Sequence, residues 1–123
     1  MFKVIVAGGR DFNNYKGLSD SLDYLLKNIN DDIQIVCGMT RGADRLGERY
    51  AKEHGYQVIY FPADWDLDGK SAGFKRNAKM AEYADALVAF WDGTSKGTKH
   101  MIETAKEKGL DIRIKRYHIR RRE

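Results

Sequence analysis

Along the chain, five short segments rich in β-branched and aromatic residues alternate with segments that have the spacing of helices. The apolar segments cover residues 2–7, 33–37, 57–61, 86–91 and 111–117. The first four are almost continuously apolar, which is typical of strands buried on both faces of a sheet. This alternation from end to end predicts an α/β fold, in which a mainly parallel sheet is covered by helices on both faces.

The intervening segments carry apolar stripes that would bury one face of a helix. The first stripe consists of Leu18, Leu22, Leu25, Leu26 and Ile29. Three later helices are expected over residues 43–54, about 71–83 and about 98–108. The pattern predicts one Rossmann-like domain over residues 1–117, followed by a basic C-terminal segment at residues 118–123.

The composition is that of a folded, water-soluble protein. Of the 123 residues, 42% are hydrophobic and 33% are charged, which differs from the composition of disordered chains. No segment approaches the roughly 20 consecutive apolar residues of a membrane span, and the apolar run at the N-terminus is too short for a signal peptide. The single cysteine, Cys37, cannot form an internal disulfide. We therefore expect a cytoplasmic protein without a membrane partner.

The net charge of +4 is concentrated at the C-terminus. Residues 111–123 contain six Lys or Arg and two Asp or Glu, and the other 110 residues contain sixteen of each sign. Any affinity for nucleic acid therefore belongs to this end of the chain. The alternative is that the basic residues protect an exposed edge strand from aggregation.

In a fold of this kind, ligands bind outside the C-terminal ends of the strands, where the strand order reverses. The loops that leave those ends cover residues 8–12, 38–44, 62–77 and 91–98. They contain most of the glycines, the only proline and both tryptophans. The pair Gly8-Gly9 lacks the G-x-G-x-x-G spacing of a dinucleotide-binding loop. We expect the functional site at this edge of the sheet.

The loop at residues 91–98 combines glycines, hydroxyl groups and the start of a helix. Gly93 and Gly97 let the backbone approach a ligand, and Ser95 and Thr98 offer hydroxyl groups. The helix start adds free N–H groups and the positive end of the helix dipole, so the loop predicts a phosphate site. The alternative is a flexible turn before a helix that Thr98 caps. The spacing excludes a Walker A motif, because only three residues separate the glycines and a threonine replaces the lysine.

Residues in the other loops of this edge have a functional and a structural interpretation. Asp44 either contacts a ligand or stabilises the start of its helix. Arg10 and Asp11 either contact a ligand or form a salt bridge with a neighbouring loop. Phe12 and Trp65 either stack on a base or cover the edge of the core. The residues alone leave these alternatives open.

Five blocks of the sequence carry a resemblance that covers most of the chain. They are VAGGRDF, GADRLGERYA, PADW, AGFKRNAKMAEYADALVAFWDG and KGTKHMIETA. In order and spacing they resemble the SLOG superfamily, which unites the Smf/DprA and Lonely Guy (LOG) proteins, and most of all the small YspA/YpsA-type SLOG proteins of bacteria and phages. The resemblance implies a Rossmann-like sheet in the order 3-2-1-4-5 that binds nucleotide-derived ligands at the predicted edge.

The LOG enzymes of this superfamily release a base from a nucleoside monophosphate with an arginine in R-K-x-x-M and a glutamate in P-G-G-x-G-T-x-x-E. Arg76 and Met80 are similar to the first block. The second block departs from the pattern, because its turn is two residues longer and Met101 stands three residues after Thr98, in place of the glutamate. Glu103 follows two residues later, about 200° around a helix, and cannot replace it.

A LOG-like enzyme would need a carboxylate from another position. Asp11, Asp44 and Asp92 lie on the ligand edge, and a carboxylate there would stabilise a ribosyl centre that develops positive charge. No spacing favours one of them. Our catalytic candidates are Arg76 and Asp92, the latter because it lies in the altered turn.

The leading hypothesis is binding of a nucleotide or an ADP-ribose-like ligand by a sensor, carrier or sequestering protein. The alternatives are a hydrolase that cleaves an N-glycosidic or phosphate bond of such a ligand, and a nucleic-acid-interacting protein of DprA type. The candidate ligand-binding residues are Gly8, Gly9, Arg10, Asp11, Gly38, Thr40, Arg41, Gly42, Asp44, Asp64, Trp65, Arg76, Asn77, Gly93, Thr94, Ser95, Gly97 and Thr98. Similar proteins commonly form dimers, so the resemblance implies a homodimer.

No metal or cofactor is expected from the sequence. His54, His100 and His118 stand without a cysteine or carboxylate at the spacing of metal ligands. His54 also fits the buried stripe of its helix, which predicts a core position for it.

Overall fold

The computed structural model describes residues 1–118 as one α/β domain. Its elements, in chain order, are β1 (Phe2–Gly8), α1 (Tyr15–Leu26), β2 (Ile33–Cys37), α2 (Ala43–His54), β3 (Gln57–Tyr60), α3 (Trp65–Asp68), a 3-10 turn (Gly69–Ser71), α4 (Ala72–Tyr83), β4 (Ala86–Trp91), α5 (Lys96–Glu107) and β5 (Asp111–Arg116). Every predicted strand is present. The short helix α3 was not predicted.

The five strands form one parallel sheet in the order β3-β2-β1-β4-β5. The chain builds outward from β1 to β3 and then crosses over to β4 on the other side of β1. The strand order therefore reverses between β1 and β4. The predicted fold class and strand order are confirmed.

The continuous apolar runs are explained by two separate cores, one on each face of the sheet. Successive strand residues point to opposite faces, so Val4 and Val6 pack with α1 and α2, while Ile5 packs with α4 and α5. In β4, Val88 likewise packs in the core with α1 and α2, and Leu87 packs in the core with α4 and α5. Burial on both faces requires an apolar side chain at nearly every position.

Two aromatic positions clarify the edges of these cores. Phe12 is buried and stacks on Phe90 with 4.7 Å between ring centroids, so it covers the edge of the core. The prediction of a core position for His54 is wrong. Tyr50, one helical turn earlier, fills the buried position, and the exposed His54 ring stacks on it at 3.9 Å between centroids.

The helix that follows the loop after β4 begins earlier than expected. Helix α5 starts at Lys96, with Ser95 as the N-cap residue, and Thr98 is buried in its first turn. Thr98 therefore does not cap the helix. The loop is correspondingly short, and more of its residues belong to the helix start.

The last described residues close the domain. The backbone N–H of Tyr117 donates to the Trp91 carbonyl oxygen at 3.1 Å. Of the basic C-terminal segment, residues 119–123 lie outside the described residues, and the domain boundary at residue 117 stays a prediction. Within residues 1–118, no helix is long and apolar enough to cross a membrane.

Two glycines flank α2, and both have a positive φ but different surroundings, which allows a comparison. Gly42 has a φ of 76° and a ψ of −126°, outside the left-handed helical region, whereas Gly55 has a φ of 71° and a ψ of 23°, within it. An added Cβ at Gly42 would collide with backbone atoms of Gly9 and Arg10, whereas at Gly55 it would meet nothing within 4 Å. We expect Gly55→Ala to cost about 1 kcal/mol of unfolding free energy, because of the left-handed backbone alone.

For Gly42→Ala we expect a loss of at least about 3 kcal/mol, because strain and collision act together. Urea denaturation followed by circular dichroism measures both losses. Equal losses in the two variants would contradict the close approach of α2 to the loop after β1.

Candidate functional site

The loops that follow β1, β2, β3 and β4 surround an open cavity of about 1100 Å³. The C-terminal ends of parallel strands share one edge of the sheet, and the reversal of strand order between β1 and β4 leaves a crevice there. The cavity therefore lies where the topology predicts a ligand.

Most of the predicted residues lie together in the wall of this cavity. They are Gly8, Gly9, Arg10, Asp11, Gly38, Thr40, Arg41, Asp44, Trp65, Arg76, Asn77, Asp92, Ser95, Gly97 and Thr98. They come from the end of β1, from the loops after β1, β2 and β4, and from the helices α2, α3, α4 and α5. Their role in ligand binding stays a prediction.

The remaining predicted residues lie outside the wall, and each has a structural contact. Gly42 packs against the backbone of Gly9 and Arg10. The Asp64 carboxylate accepts a hydrogen bond from the Leu67 N–H at 3.0 Å and so caps α3. The other two, Gly93 and Thr94, shape the turn before α5, where Gly93 has a φ of 90° and faces the Arg116 guanidinium.

Several wall residues were not predicted from the sequence. They are Ala7, Met39, Arg45, Pro62, Ala63, Gly73, Phe74, Met80 and Met101. Arg45 follows Asp44 in the first turn of α2, and this position was the available signal for it. Phe74 is half exposed and lines the cavity from the first turn of α4. Met39 has a φ of 61°, which a non-glycine residue rarely adopts.

Arg76 is held in the cavity wall by two hydrogen bonds. Its Nη1 donates to the Gly38 carbonyl oxygen, and its Nε donates to Asn77 Oδ1 at 3.1 Å. Burial lowers the pKa of Arg76 and the charge of Asp44 raises it. The guanidinium nevertheless stays charged, because arginine is not deprotonated in proteins. The site therefore contains a fixed, partly desolvated cation.

Asp44 is a buried carboxyl group in the first turn of α2. Its Oδ2 accepts a hydrogen bond from the Gly38 N–H at 2.8 Å. Desolvation raises the pKa of Asp44 to about 6, although the Gly38 hydrogen bond and the nearby Arg76 oppose this change. Asp44 therefore gains a proton at mildly acidic pH.

Asp92 shapes the turn that leads into α5. Its Oδ1 accepts hydrogen bonds from the Thr94 and Ser95 N–H groups at 2.9 and 2.8 Å, and these bonds lower its pKa. The next three N–H groups, at residues 96–98, belong to the first turn of the helix and have no intrahelical acceptor. They are available to an anion at the edge of the cavity.

Positive side chains outnumber negative ones in the cavity wall. The cations are Arg10, Arg41, Arg45, Lys70 and Arg76, and the carboxylates are Asp11, Asp44 and Asp92. Within residues 1–118, none of these cations has a carboxylate oxygen within 4.0 Å. Asp11 is engaged instead by the Tyr117 hydroxyl, which donates to Oδ1 at 2.7 Å. The wall therefore favours anionic ligands.

The position of the LOG glutamate is occupied by an apolar side chain. Met101 is buried and contributes to the cavity wall. Glu103 is exposed on α5, outside the wall, and its nearest cation is Lys99 at 3.9 Å. In the part of the chain that the structure describes, no three His, Cys, Asp or Glu side chains group as a metal site requires.

Comparisons with known proteins give a consistent family. Residues 2–67 match the model of the YspA, cpYpsA-related SLOG family. Over 118 residues, the sequence is 32% identical to the Gene 61 protein of Mycobacterium phage D29. This alignment covers 91% of this chain and 94% of that protein.

Two solved structures share the fold at low sequence identity. The DNA processing protein A (DprA) of Streptococcus pneumoniae has a TM-score of 0.72 at 19% identity, over 93% of this chain and 50% of that chain. The protein TM1055 has a TM-score of 0.66 at 20% identity, over 91% of this chain and 72% of that chain. The chain thus spans half the length of DprA. Both likenesses concern the fold alone.

The raised pKa of Asp44 makes a testable contribution to stability. Since its folded-state pKa of about 6 exceeds that of an unfolded chain, the contribution is complete below about pH 4 and is lost as the pH rises through about 6. Asp44→Asn retains an acceptor for the Gly38 N–H and cannot ionise. We expect its stability relative to the wild type to grow between pH 4 and pH 7, by about 2–3 kcal/mol.

Chemical denaturation of both proteins at several pH values measures this change. A difference in unfolding free energy that stays constant over the range would show that Asp44 ionises without a desolvation cost.

Proposed function

The chain belongs to the YspA, cpYpsA-related SLOG family, and from this we propose that its cavity binds a nucleotide or an ADP-ribose-like ligand by its phosphate groups. The protein would act as a sensor, a carrier or a sequestering agent. Binding without turnover is the function that the geometry supports best.

The observation that carries the proposal is the link between Arg76 and the first turn of α5. Asn77 accepts from Arg76 Nε at 3.1 Å, and its Nδ2 lies 3.4 Å from the Gly97 carbonyl oxygen. A guanidinium and the start of a helix are thus held beside one cavity. Both groups bind phosphate well, the first by charge and the second by its free N–H groups.

The rest of the wall suits the organic part of such a ligand. The cavity volume of about 1100 Å³ lies near the upper end of ordinary ligand pockets, so there is room for more than a phosphate. Trp65 and Phe74 line it and are 58% and 50% exposed. Exposed aromatic rings beside an anion site are suited to stacking on a base.

Arg76→Ala tests the phosphate contact. Titration calorimetry with AMP and with ADP-ribose should show binding to the wild type that weakens in the variant by about 1.5–3 kcal/mol, as expected for a charged hydrogen bond. Arg113→Ala is the matched control, because it removes the same charge from a half-exposed side chain of β5 outside the cavity. Wild-type affinity in Arg76→Ala would make the assignment wrong.

Gly97→Ala tests the helix start without endangering the fold. A Cβ at this position meets no atom within 4 Å, and the residue belongs to the cavity wall. The methyl group would occupy space close to the free N–H groups. We expect weaker AMP binding together with a gain in unfolding free energy of up to about 1 kcal/mol from helix propensity. Unchanged affinity would place the phosphate away from α5.

Turnover would contradict binding as the complete function. Met101 stands in place of the expected acid, and help from a positioned carboxylate is worth about 10²- to 10⁴-fold in rate. Chromatography of AMP, GMP, CMP and UMP after long incubation with the protein measures the release of free base. Repeated turnover that Arg76→Ala abolishes would indicate a LOG-like hydrolase, with Asp92 as its first candidate acid.

Nucleic-acid binding is the second candidate function, and one observation favours it. The side chains of Arg113, Lys115 and Arg116 on β5 are exposed and precede the basic C-terminal segment. The structurally similar DprA is named as a DNA-processing protein. A salt-dependent shift of an oligonucleotide that is lost when residues 118–123 are deleted would support this function.

A further inference from the structure

His100 lies beside the cavity without lining it. It belongs to the second turn of α5, and its ring stacks on Phe74 of α4 with 4.1 Å between ring centroids and 18° between the planes. Its Nδ1 lies 3.1 Å from Asn77 Nδ2. Asn77 is buried and contacts Arg76. His100 is therefore connected to the proposed phosphate-binding arginine through a single intervening side chain, that of Asn77.

The orientation of the Asn77 amide is determined by two independent neighbours. Arg76 Nε can only donate, so the Asn77 oxygen must face it. The Gly97 carbonyl oxygen can only accept, so the Asn77 nitrogen must face in that direction. The two requirements agree, and they leave the second N–H of the amide directed at His100.

This orientation in turn determines the protonation of the His100 ring. Nδ1 must accept from Asn77, so the proton of the neutral ring is on Nε2. The nearest partner of Nε2 is Thr104 Oγ1 at 3.5 Å. That hydroxyl donates its own proton to the His100 carbonyl oxygen at 2.8 Å and has a lone pair to offer. Every donor in the network then faces an acceptor.

We propose that His100 is a positioning residue, which holds Asn77 and thereby fixes Arg76 relative to the first turn of α5, and that it does so only when the ring is neutral. A second proton on Nδ1 would face the N–H group of Asn77. The amide cannot rotate to relieve this contact, because its nitrogen would then face Arg76 Nε and its oxygen the Gly97 carbonyl. The effect on ligand affinity rests on the proposed function.

The groups around His100 determine which other ionisable side chains a pH experiment must distinguish from it. The side chains that stack or hydrogen-bond with the ring are Phe74 and Asn77 of α4 and Thr104 of its own helix, and none of them ionises. On the same helix, the charged Lys99 and Glu103 lie 3.9 Å apart. Asp44, on the other side of Arg76, titrates at about pH 6 and is present in every variant used below.

The first experiment tests the network itself and needs no ligand. The ¹⁵N chemical shifts of the imidazole nitrogens, with the His100 signals assigned by their loss in His100→Gln, report which nitrogen carries the proton. At pH 8 we expect a neutral His100 ring with the proton on Nε2. A proton on Nδ1, or rapid exchange between both tautomers, would overturn the proposal.

The second experiment tests the consequence for binding, with ADP-ribose as the probe. His100→Gln retains an oxygen that can accept from Asn77, whereas His100→Leu has no acceptor. At pH 7.5 we expect near wild-type affinity in the first variant and a loss of about three- to tenfold in the second, the size of one net hydrogen bond. Equal losses in both variants would reduce His100 to a packing residue and overturn the proposal.

The pH profile separates protonation of His100 from other titrations. Over the pH range in which the ¹⁵N shifts show His100 gaining its second proton, we expect the wild-type affinity to fall by about three- to tenfold more than that of His100→Gln, because only the wild type can gain the unfavourable proton. His54→Gln removes a histidine far from the cavity and should keep the wild-type slope. Equal slopes in wild type and His100→Gln would overturn the proposal.

Failure of the proposed function gives a different pattern. If neither AMP nor ADP-ribose binds the wild type, the proposed function fails, and the ¹⁵N measurement still decides whether His100 holds Asn77 in the neutral state.

Discussion

Gly38 uses both of its backbone polar groups to hold the centre of the site together. Its N–H donates to the Asp44 carboxylate of α2, and its carbonyl oxygen accepts from the Arg76 guanidinium of α4. These helices pack on opposite faces of the sheet, so the residue after β2 joins the two layers at their common edge. A Cβ at this position would lie 2.6 Å from Arg76 Nη1, so the guanidinium would have to shift away from Gly38 to accommodate a side chain.

The electrostatic character of the cavity follows from this arrangement. A buried carboxyl and a partly buried guanidinium stabilise each other only in part, since Arg76 lowers the pKa of Asp44 while desolvation raises it to about 6. The other acids of the wall, Asp11 and Asp92, are engaged by the Tyr117 hydroxyl and by backbone N–H groups. Among residues 1–118, the surplus of positive side chains in the wall is therefore not neutralised by carboxylates, which favours an anionic ligand.

The strands and their order could be predicted because their signal is strong. A parallel strand that faces a core on each side must be apolar at nearly every position. The five segments either have that character or, as in β5, alternate apolar with charged residues. The site was predictable to the level of its loops, because the topology brings all strand ends to one edge. Arg76 was found through its resemblance to a known motif, and Asp44 through its place at a helix start.

The remaining features depend on contacts between distant segments, which local patterns do not encode. The start of α5 at Lys96 depends on the turn that Asp92 makes with two backbone N–H groups. His100 looked isolated because its partners Phe74 and Asn77 are more than twenty residues away. The glycines of the loops suggested that the backbone must approach a ligand closely. For Gly42, the group that approaches closely is the backbone of the loop after β1.

The contact between Tyr117 and Asp11 implies that the cavity is completed late during translation. A side chain that immediately follows the final strand holds the first loop of the sheet, across a sequence separation of 106 residues. During translation the N-terminal strands can associate early, since chains fold from that end as they are made. The loop after β1, however, has no hydroxyl to anchor it until residue 117 has been added. The newly made chain would therefore pair its N-terminal strands before it acquires a finished binding site.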